Sequence, residues 1–362
     1  MVLYSSKTEP FLSTSSDMVC ATEFVRYLHL IHYIGFVGAQ SLNAVLVFLI
    51  ITKSENLLGN YRYAMFVFTL CSMVYSMVEI LVQPVGHMKG SMFVVFMHSS
   101  ILNATNPLAE FLTCLHCVLS GFVASLLACQ FIFRYLAVCR THFLVHLQGI
   151  NLCLLFIPSI FVFAVWHFGF FHGMPNTLEK QIFLREELQT CFNVNTTVNP
   201  FVGPMYWTKG ADGQIHWNIF ELISALSCFA VLIICFFTIV FCAYSIFMKM
   251  SNSIHHLSAK TLDLNKQLFR MLCIQTVIPM ITMYFPVALF VTLPMFGKDI
   301  PYLGNMTSSS LAIYPIIEPI IAMTCVASFR KAIKGSIRCS VSRSTQFAIH
   351  PASSPRLTDQ KQ

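Results

Sequence analysis

Seven apolar runs of about 20 residues or more constrain the fold of this chain more than any other feature of its sequence. A helix of about 20 apolar residues spans the hydrocarbon core of a bilayer, so each run is a transmembrane candidate. Only 10% of the residues are charged, against about 25% in soluble domains, which excludes a soluble fold. We predict an all-α membrane protein, a seven-transmembrane helix bundle, with spans at residues 27–52, 61–83, 107–139, 150–171, 219–248, 268–293 and 303–327.

The distribution of basic residues predicts which side of the membrane each loop faces. With the N-terminus outside, 15 of the 22 Lys and Arg residues lie in inner loops or in the C-terminal segment. Basic residues accumulate on the cytoplasmic side of membrane proteins, so we predict an N-terminus outside. The net charge of +7 is then a property of the cytoplasmic face and gives no reason to expect a nucleic-acid partner.

The bundle is expected to be the main domain of the chain. Residues 1–26 are predicted to form an extracellular tail without a cleavable signal peptide, and residues 27–338 the bundle embedded in the lipid bilayer. Within the latter, residues 328–334 are predicted to form a short amphipathic helix along the inner leaflet. Residues 339–362 are rich in Ser, Arg, Gln and Pro and are predicted to be a disordered cytoplasmic tail.

Short motifs on the predicted outer side indicate modification sites. Three glycosylation sequons begin at Asn103, Asn195 and Asn305, and all three fall in predicted outer loops. Most of the 14 cysteines lie in spans, where cysteine is a small apolar residue. Cys20 and Cys191 lie in outer, oxidising segments and form a candidate disulfide. The long outer loop between spans four and five is a candidate cover for a pocket.

The third predicted span carries charged and polar residues at informative spacings. Glu110 and Arg134 are 24 residues apart, about 36 Å of helix, so each charge reaches a different water interface. His116 lies 18 residues, or five turns, before Arg134 and shares its helix face, which points into the bundle because an arginine avoids lipid. His116, Cys117 and Ser120 are therefore candidates for the floor of an outward-open cavity. For His116 the alternative is a histidine satisfied by another helix.

Two further side chains are candidates for the same cavity. Glu79, near the outer end of span two, is expected to line a cavity or find a partner, and the alternative is that it reaches water at the interface. Tyr284 lies between Pro279 and Pro286 in span six and either faces the cavity or packs in the core. Prolines interrupt the backbone hydrogen bonds of a helix and kink it, which allows its inner half to move.

A polar cluster is predicted at the middle of the membrane. Asn43, Ser72 and Glu318 fall at similar depths when residues are counted from the inner ends of their spans. For Asn43 the alternative is a hydrogen bond that packs two helices together. No metal or cofactor is expected, because the potential ligands at residues 114–117 crowd one short piece of helix.

Four short stretches carry a family likeness. They are QFIFRYLAV at residues 130–138, QLF at 267–269 leading to QTVIP at 275–279, YPIIEP at 314–319 with Phe329 and Arg330, and Pro84 with His87. Together they resemble the nematode seven-transmembrane serpentine chemoreceptors of the Str class, a branch of the G-protein-coupled receptors. The similarity covers residues 27–338.

The resemblance implies a chemosensory, olfactory-type receptor that binds a small odorant-like molecule and activates a heterotrimeric G protein. The ligand is expected in an outward-open helical pocket at Glu79, His116, Cys117, Ser120 and Tyr284. Outward movement of the inner half of span six is expected to expose the residues that contact the G protein, namely Arg134, Tyr135, Arg140, Lys266, Arg270 and Arg330. The implied location is the plasma membrane, with the sensory cilium as a specific site, and a dimer is left open.

The sequence departs from the broader rhodopsin-like pattern at three points. Phe133 precedes Arg134, so the acidic residue that usually restrains the arginine is absent. Ala109 stands where a cysteine would be expected at the outer start of span three, and span seven lacks the Asn-Pro…Tyr form. These features resemble the chemoreceptor branch.

Two other classes of membrane protein compete with the receptor interpretation. A transporter or ligand-gated channel predicts a repeated half or a chain of charges along a pathway, and the sequence has no such internal symmetry. An intramembrane enzyme needs paired acids, a metal site or a nucleophile motif, and none stands at a credible spacing. We therefore predict a receptor and not an enzyme.

Overall fold

Seven helices long and apolar enough to cross a membrane form the main body of the described chain. A computed structural model of the protein describes residues 22–53, 59–102, 106–147, 149–210, 212–252, 259–300, 302–335 and 338. The prediction of seven spans is confirmed, and the third span is one continuous helix. In the structure spans one to seven are Phe24–Lys53, Tyr61–Val82, Pro107–Cys139, Asn151–Phe171, Ile219–Asn252, Leu262–Phe296 and Leu303–Cys325.

The bundle is apolar on its outer face and holds its polar side chains inside. Phe237 and Ile281 have exposed fractions of 63% and 67%, whereas Asn43 and Gln130 are buried. This arrangement is what a bilayer requires, because lipid is as apolar as the side chains that face it. The largest buried cluster fills the inner half of the bundle and includes the fully buried ring of Phe131.

Span six is interrupted between Pro279 and Pro286. An α-helix at Ala259–Pro279 is followed by a π-helix at Met280–Tyr284, an α-helix at Phe285–Thr292 and a 3-10 helix at Leu293–Phe296. Proline lacks the N–H donor, so the usual backbone bond of the helix cannot form at either position. The predicted interruption of span six therefore takes the form of one wide helical turn, a feature often found at functional sites.

Short helices cover the inner side of the bundle. After span three come an α-helix at Thr141–Leu144 and 3-10 helices at Val145–Leu147 and Gly149–Phe156, which lead into an α-helix at Ile157–Phe171. After span seven, residues 327–335 are helical, with the Phe329 ring fully buried. The predicted amphipathic helix is thus present in the structure.

Two small β-sheets on the outer side add to the predicted all-α fold. Strands β1 (Pro84–Lys89) and β2 (Met92–Met97) form a hairpin between spans two and three, which β3 (Phe201–Val202) extends. Strands β4 (Trp207–Lys209) and β5 (Ile215–Trp217) form the second sheet. The loop between spans four and five also contains a helix at Leu178–Phe192, which we call the lid helix.

Candidate functional site

A cavity of about 110 Å³ lies between spans three to seven and the β1–β2 hairpin. The cavity walls are almost entirely apolar, and no Lys, Arg, Asp or Glu is among the described residues that line them. Four of the five predicted ligand residues line it: His116, Cys117, Ser120 and Tyr284. Other residues that line the cavity include Gly86, Phe93, Trp166, Phe229, Leu232, Val287, Phe290, Gly304 and Ser308.

The β1–β2 hairpin covers the outer end of this cavity. Its residues Gly86, Phe93 and Val95 belong to the cavity wall, and the Phe93 ring packs 5.0 Å from that of Phe290 in span six. The outward-open form predicted from the sequence is therefore wrong for this structure. The first outer loop forms the cover, and of the long loop between spans four and five only Met174 lines the cavity.

Two hydrogen bonds fix the outer loops to the end of span six. The hydroxyl of Tyr206 donates to the carbonyl oxygen of Val291 at 2.9 Å. The indole N–H of Trp207 donates to the carbonyl oxygen of Met295 at 3.1 Å. Movement of the outer end of span six is thereby coupled to the loops that cover the cavity.

The hairpin touches span seven through two glycines. A Cβ added at Gly304 would lie 2.1 Å from the carbonyl oxygen of Gly86, and one added at Gly86 would lie 2.9 Å from that of Gly304. No larger residue fits at either position without moving a backbone. The two glycines therefore set how closely the cover sits on the bundle.

Glu79 lies behind the cavity wall, where it joins three spans. One carboxylate oxygen lies 3.0 Å from Nδ1 of His32 in span one, and the other contacts Nε2 of His116 in span three. The hydroxyl of Tyr75 lies 3.3 Å from the same His116 nitrogen. Glu79 has an exposed fraction of 3% and does not line the cavity, so of the predicted possibilities the structure shows the buried acid with a partner, and neither direct ligand contact nor access to water. His116 both pairs with another helix and lines the cavity.

A buried lysine anchors the loop between spans four and five. Lys180 of the lid helix places Nζ 2.8 Å from Oε2 of Glu221 at the start of span five, and it donates to the carbonyl oxygens of Pro175 and Gly203. The backbone N–H of Met205 donates to the same Glu221 oxygen at 2.6 Å. Burial lowers the pKa of the Lys180 ammonium, and the adjacent carboxylate opposes that effect.

A second, more exposed ion cluster joins the lid helix to β1. Oε1 of Glu187 lies 3.1 Å from Nε2 of His87, and its Oε2 lies 3.2 Å from Nζ of Lys89. Partial burial raises the pKa of the Glu187 carboxyl, but the contacts with His87 and Lys89 outweigh burial and leave the pKa below its usual range. The lid helix is therefore held by charge at two separate points.

The three residues predicted to form a mid-membrane cluster are all buried, but no hydrogen bond joins them. Asn43 donates to the carbonyl oxygen of Pro315 in span seven at 3.1 Å, and Glu318 accepts a hydrogen bond from the Tyr314 hydroxyl. Asn43 and Glu318 line one cavity of about 10 Å³. The Ser72 hydroxyl has no hydrogen-bond partner within the described residues and does not line that cavity.

The predicted G-protein contacts differ in their exposure. The Arg134 guanidinium is buried and lies over the Tyr61 ring, with its carbon atom 4.0 Å from the ring centroid. The Tyr135 hydroxyl is 3.5 Å from Nε of Arg140 and accepts its hydrogen bond. The other four predicted contacts are exposed on the inner side: Arg140, Lys266, Arg270 and Arg330.

The predicted glycosylation sites have different surroundings. Asn195 is exposed in the long outer loop, and its Oδ1 accepts hydrogen bonds from Thr197. Asn305 lies inside span seven with an exposed fraction of 3%, which leaves no room for a glycan, so this part of the prediction is wrong for the folded protein. Asn103 lies outside the described residues.

The cysteines agree with most of the sequence analysis. Cys191 is in a disulfide bond, whereas eleven other cysteines of the described residues are free. Cys20, the predicted partner, lies outside the described residues, so its pairing with Cys191 stays a prediction. Within the described part of the chain, no group of three His, Cys, Asp or Glu residues could hold a metal ion.

Several residues of the site were not predicted from the sequence. The hairpin could have been predicted, because Gly90 and Ser91 form a turn pair directly before the apolar run at residues 92–97. In the structure Gly90 adopts a φ of +53°, which favours glycine. Tyr61 and His32 gave no signal of their own. Their roles depend on which residue of another span they face.

Comparison with known proteins identifies the family. The chain matches the family model described as serpentine type 7TM GPCR chemoreceptor Str over residues 28–334. It is 25% identical to G-protein coupled receptor str-33 of Caenorhabditis elegans over 302 residues, which cover 83% of this chain and 87% of that protein. Serpentine receptor class r-10 of the same organism is also 25% identical over 303 residues, which cover 83% and 88%.

A solved structure supports the same fold. Squid rhodopsin superposes with a TM-score of 0.56 at 14% sequence identity, covering 88% of this chain and 86% of that chain. At this identity the likeness concerns the fold alone. The family model, which matches most of the chain, shows that this multi-pass membrane protein belongs to the Str family of serpentine seven-transmembrane chemoreceptors, which are G-protein-coupled receptors and not an enzyme class.

Proposed function

We propose that this chain binds a small, apolar, odorant-like molecule in the cavity under the β1–β2 hairpin and, when occupied, activates a heterotrimeric G protein from the plasma membrane. The observation that carries the proposal is the cavity itself, which is apolar, enclosed and lined by His116, Ser120 and Tyr284 from spans three and six. Its 110 Å³ limits the ligand to a compact molecule, since the dry apolar cavity known to accept benzene is larger, at about 150 Å³.

The polar groups of the cavity offer few directional contacts. Ser120 donates its hydroxyl proton to the carbonyl oxygen of Cys117 at 2.7 Å, and Tyr284 brings a second hydroxyl-bearing side chain to the cavity wall. A ligand with one hydrogen-bonding atom on an apolar body would match this set. Apolar walls supply most of the binding free energy, and a few polar atoms fix the orientation of the ligand.

The signal would travel through span six. Tyr284 lies both in the cavity wall and at the end of the π-helix Met280–Tyr284. A ligand that contacts Tyr284 therefore acts on the turn where the regular α-helix of span six is interrupted. A ligand shifts the population toward the arrangement it binds more tightly. Outward movement of the inner half of span six would then uncover Arg134 and the exposed basic residues for the G protein.

The test is a screen of small apolar volatile compounds in cells that carry a G-protein readout. With an active compound, Arg134→Ala should keep surface delivery and lose signalling, whereas Arg185→Ala on the exposed lid helix should keep both. Ser308→Phe should weaken the response at least tenfold by filling the cavity, while Ser310→Phe, which does not line it, should leave the response intact. Full signalling by Arg134→Ala would refute the coupling role.

A transporter or ligand-gated channel is the second candidate. Under that reading an active compound should evoke a current in cells whose G proteins are inactivated. A current of this kind, with no G-protein signal, would replace the receptor proposal.

A further inference from the structure

A second cavity of about 310 Å³ lies between spans three, five and six, next to the first one. The two cavities share four lining side chains: Phe229, Leu232, Tyr284 and Val287. These four side chains border both spaces. A small rotation of one of them would join the cavities.

The second cavity opens toward lipid. Ile233 and Phe236 of span five and Phe285 of span six line it and have exposed fractions of 42%, 40% and 63%. Spans five and six are also the least buried of the seven in the described chain. In a bilayer these exposed side chains face acyl chains, so the mouth of the second cavity lies in the hydrocarbon region.

The aqueous route into the first cavity is closed on the outer side. The hairpin packs against span seven through Gly86 and Gly304, so closely that neither position has room for a side chain. Hydrogen bonds from Tyr206 and Trp207 join the outer loops to span six. Lys180 holds the long loop on span five through Glu221. Opening this cover would break several contacts at once, whereas opening the wall between the two cavities needs side-chain rotation alone.

We propose that the second cavity is a portal through which an uncharged apolar ligand, already dissolved in the bilayer, passes between spans five and six into the first cavity, with Tyr284 as the gate. This inference rests on the proposed ligand cavity and adds the route to it. Every residue found to line the second cavity is apolar or carries a single hydroxyl or thiol, so an apolar molecule need not return to water on its way. The π-helix Met280–Tyr284 places the gate on the least regular turn of span six.

The test uses bromoethane, an apolar molecule smaller than benzene, as the probe and Trp166, which lines the first cavity, as the reporter. Bromine quenches indole fluorescence on contact. The full-length receptor is reconstituted in phosphatidylcholine nanodiscs and mixed with the probe in a stopped-flow instrument, and the signal of a Trp166→Phe receptor is subtracted. Both the rate and the final extent of quenching are measured.

Ala288→Phe is the decisive variant, because Ala288 lines only the second cavity and a phenyl ring would obstruct it. We expect the rate of quenching to fall about tenfold or more with its final extent unchanged, since a blocked route alters a barrier and not an equilibrium. Ala230→Phe, on the lipid-exposed face of span five and outside both cavities, should keep the wild-type rate. Thr276→Phe, which also lines only the second cavity, is the replacement if Ala288→Phe does not fold.

Unchanged rates in the portal variants, with full quenching at equilibrium, would overturn the portal and leave the ligand cavity standing. Absence of quenching in the wild-type receptor would remove both the cavity as a site for apolar molecules and the portal that leads to it. The two failures are therefore distinguishable.

Discussion

The guanidinium carbon of Arg134 lies 4.0 Å from the ring centroid of Tyr61, so the arginine that ends span three is covered by the aromatic residue that begins span two. The Tyr61 hydroxyl in turn donates to Oε1 of Gln130, one turn before Arg134. Phe133 stands where an acidic residue would otherwise restrain the arginine. The aromatic face takes the place of that ion pair, and Nε and Nη2 of Arg134 are left without hydrogen-bond partners in the described chain.

Replacing Tyr61 with leucine should raise signalling in the absence of ligand. A cation–π contact contributes about 0.5 to 2 kcal/mol, so its loss should shift the population toward the uncovered arginine about 2- to 30-fold. The measurement is basal G-protein activity per receptor at the cell surface. Tyr63→Leu is the matched control, because Tyr63 is an exposed neighbour whose ring contacts only Arg62 at 4.8 Å among the ring contacts of the described residues. Equal basal activity in both variants would contradict the role of Tyr61.

The contact between Arg134 and Tyr61 illustrates which parts of this structure the sequence can predict and which it cannot. The seven spans follow from the length of the apolar runs, and the shared face of His116 and Arg134 follows from the helical period. The partners Tyr61, His32 and Glu79 depend on how each helix is rotated and shifted against its neighbours. Neither hydropathy nor spacing encodes these two quantities, so such pairs emerged only from the structure.

The same limit explains the error at Asn305. A sequon requires three residues in a row, whereas burial depends on where a span begins. Span seven starts at Leu303, which places Asn305 inside the bundle and not in the loop before it. The hairpin over the cavity, in contrast, could have been predicted from the Gly90-Ser91 turn and the valine-rich strand after it.

Replacing Lys180 with methionine should destabilise the receptor strongly. The substitution leaves the Glu221 carboxylate at a partly buried site without its counter-charge, and breaking a buried pair in this way costs about 3 to 5 kcal/mol. The thermal unfolding midpoint of the purified receptor should fall, and Lys180→Met combined with Glu221→Gln should recover part of the loss. Lys209→Met, at an exposed position of β4, is the control and should leave the midpoint unchanged. An unaltered midpoint in Lys180→Met would contradict the anchoring role.

The Glu187 cluster should make the stability of the lid helix depend on pH. Its pKa in the folded protein is lowered from 4.5, the value expected without the fold. A carboxyl with a lowered pKa stabilises the folded state above its unfolded pKa, and this contribution is lost as the pH falls through the folded value. The unfolding midpoint should therefore drop on acidification below about pH 4.5, and Glu187→Gln should remove part of that dependence. The measurement is thermal unfolding of each variant between pH 7 and 3.

Glu186→Gln is the matched control for this pH dependence. Glu186 is the adjacent residue on the lid helix but is exposed and has no ion-pair partner among the described residues. Its variant should follow the wild-type profile. If Glu187→Gln follows that profile as well, the cluster with His87 and Lys89 does not contribute to stability.

Glu318→Gln should impair signalling more than ligand binding. Glu318 accepts the Tyr314 hydroxyl within span seven, and its backbone carbonyl accepts a hydrogen bond from Gln275 of span six at 3.4 Å. The Gln275 contact uses the backbone and survives the substitution, so the variant alters only the carboxyl that Tyr314 contacts, at the level where spans six and seven meet. The ligand cavity shares none of these three residues. We expect maximal signalling to fall at least tenfold, with binding of an active compound and surface delivery within about twofold of wild type.

Glu110→Gln is the matched control, because it removes a carboxyl group at a different place in the bundle. Glu110 is a half-buried acid at the outer end of span three, far from the contact between spans six and seven, so its variant should signal normally. Surface delivery is measured for each variant by labelling intact cells, and signalling is expressed per delivered receptor. A loss of surface delivery in Glu318→Gln as large as its loss of signalling would show that this carboxyl serves folding and not the transmission of the signal.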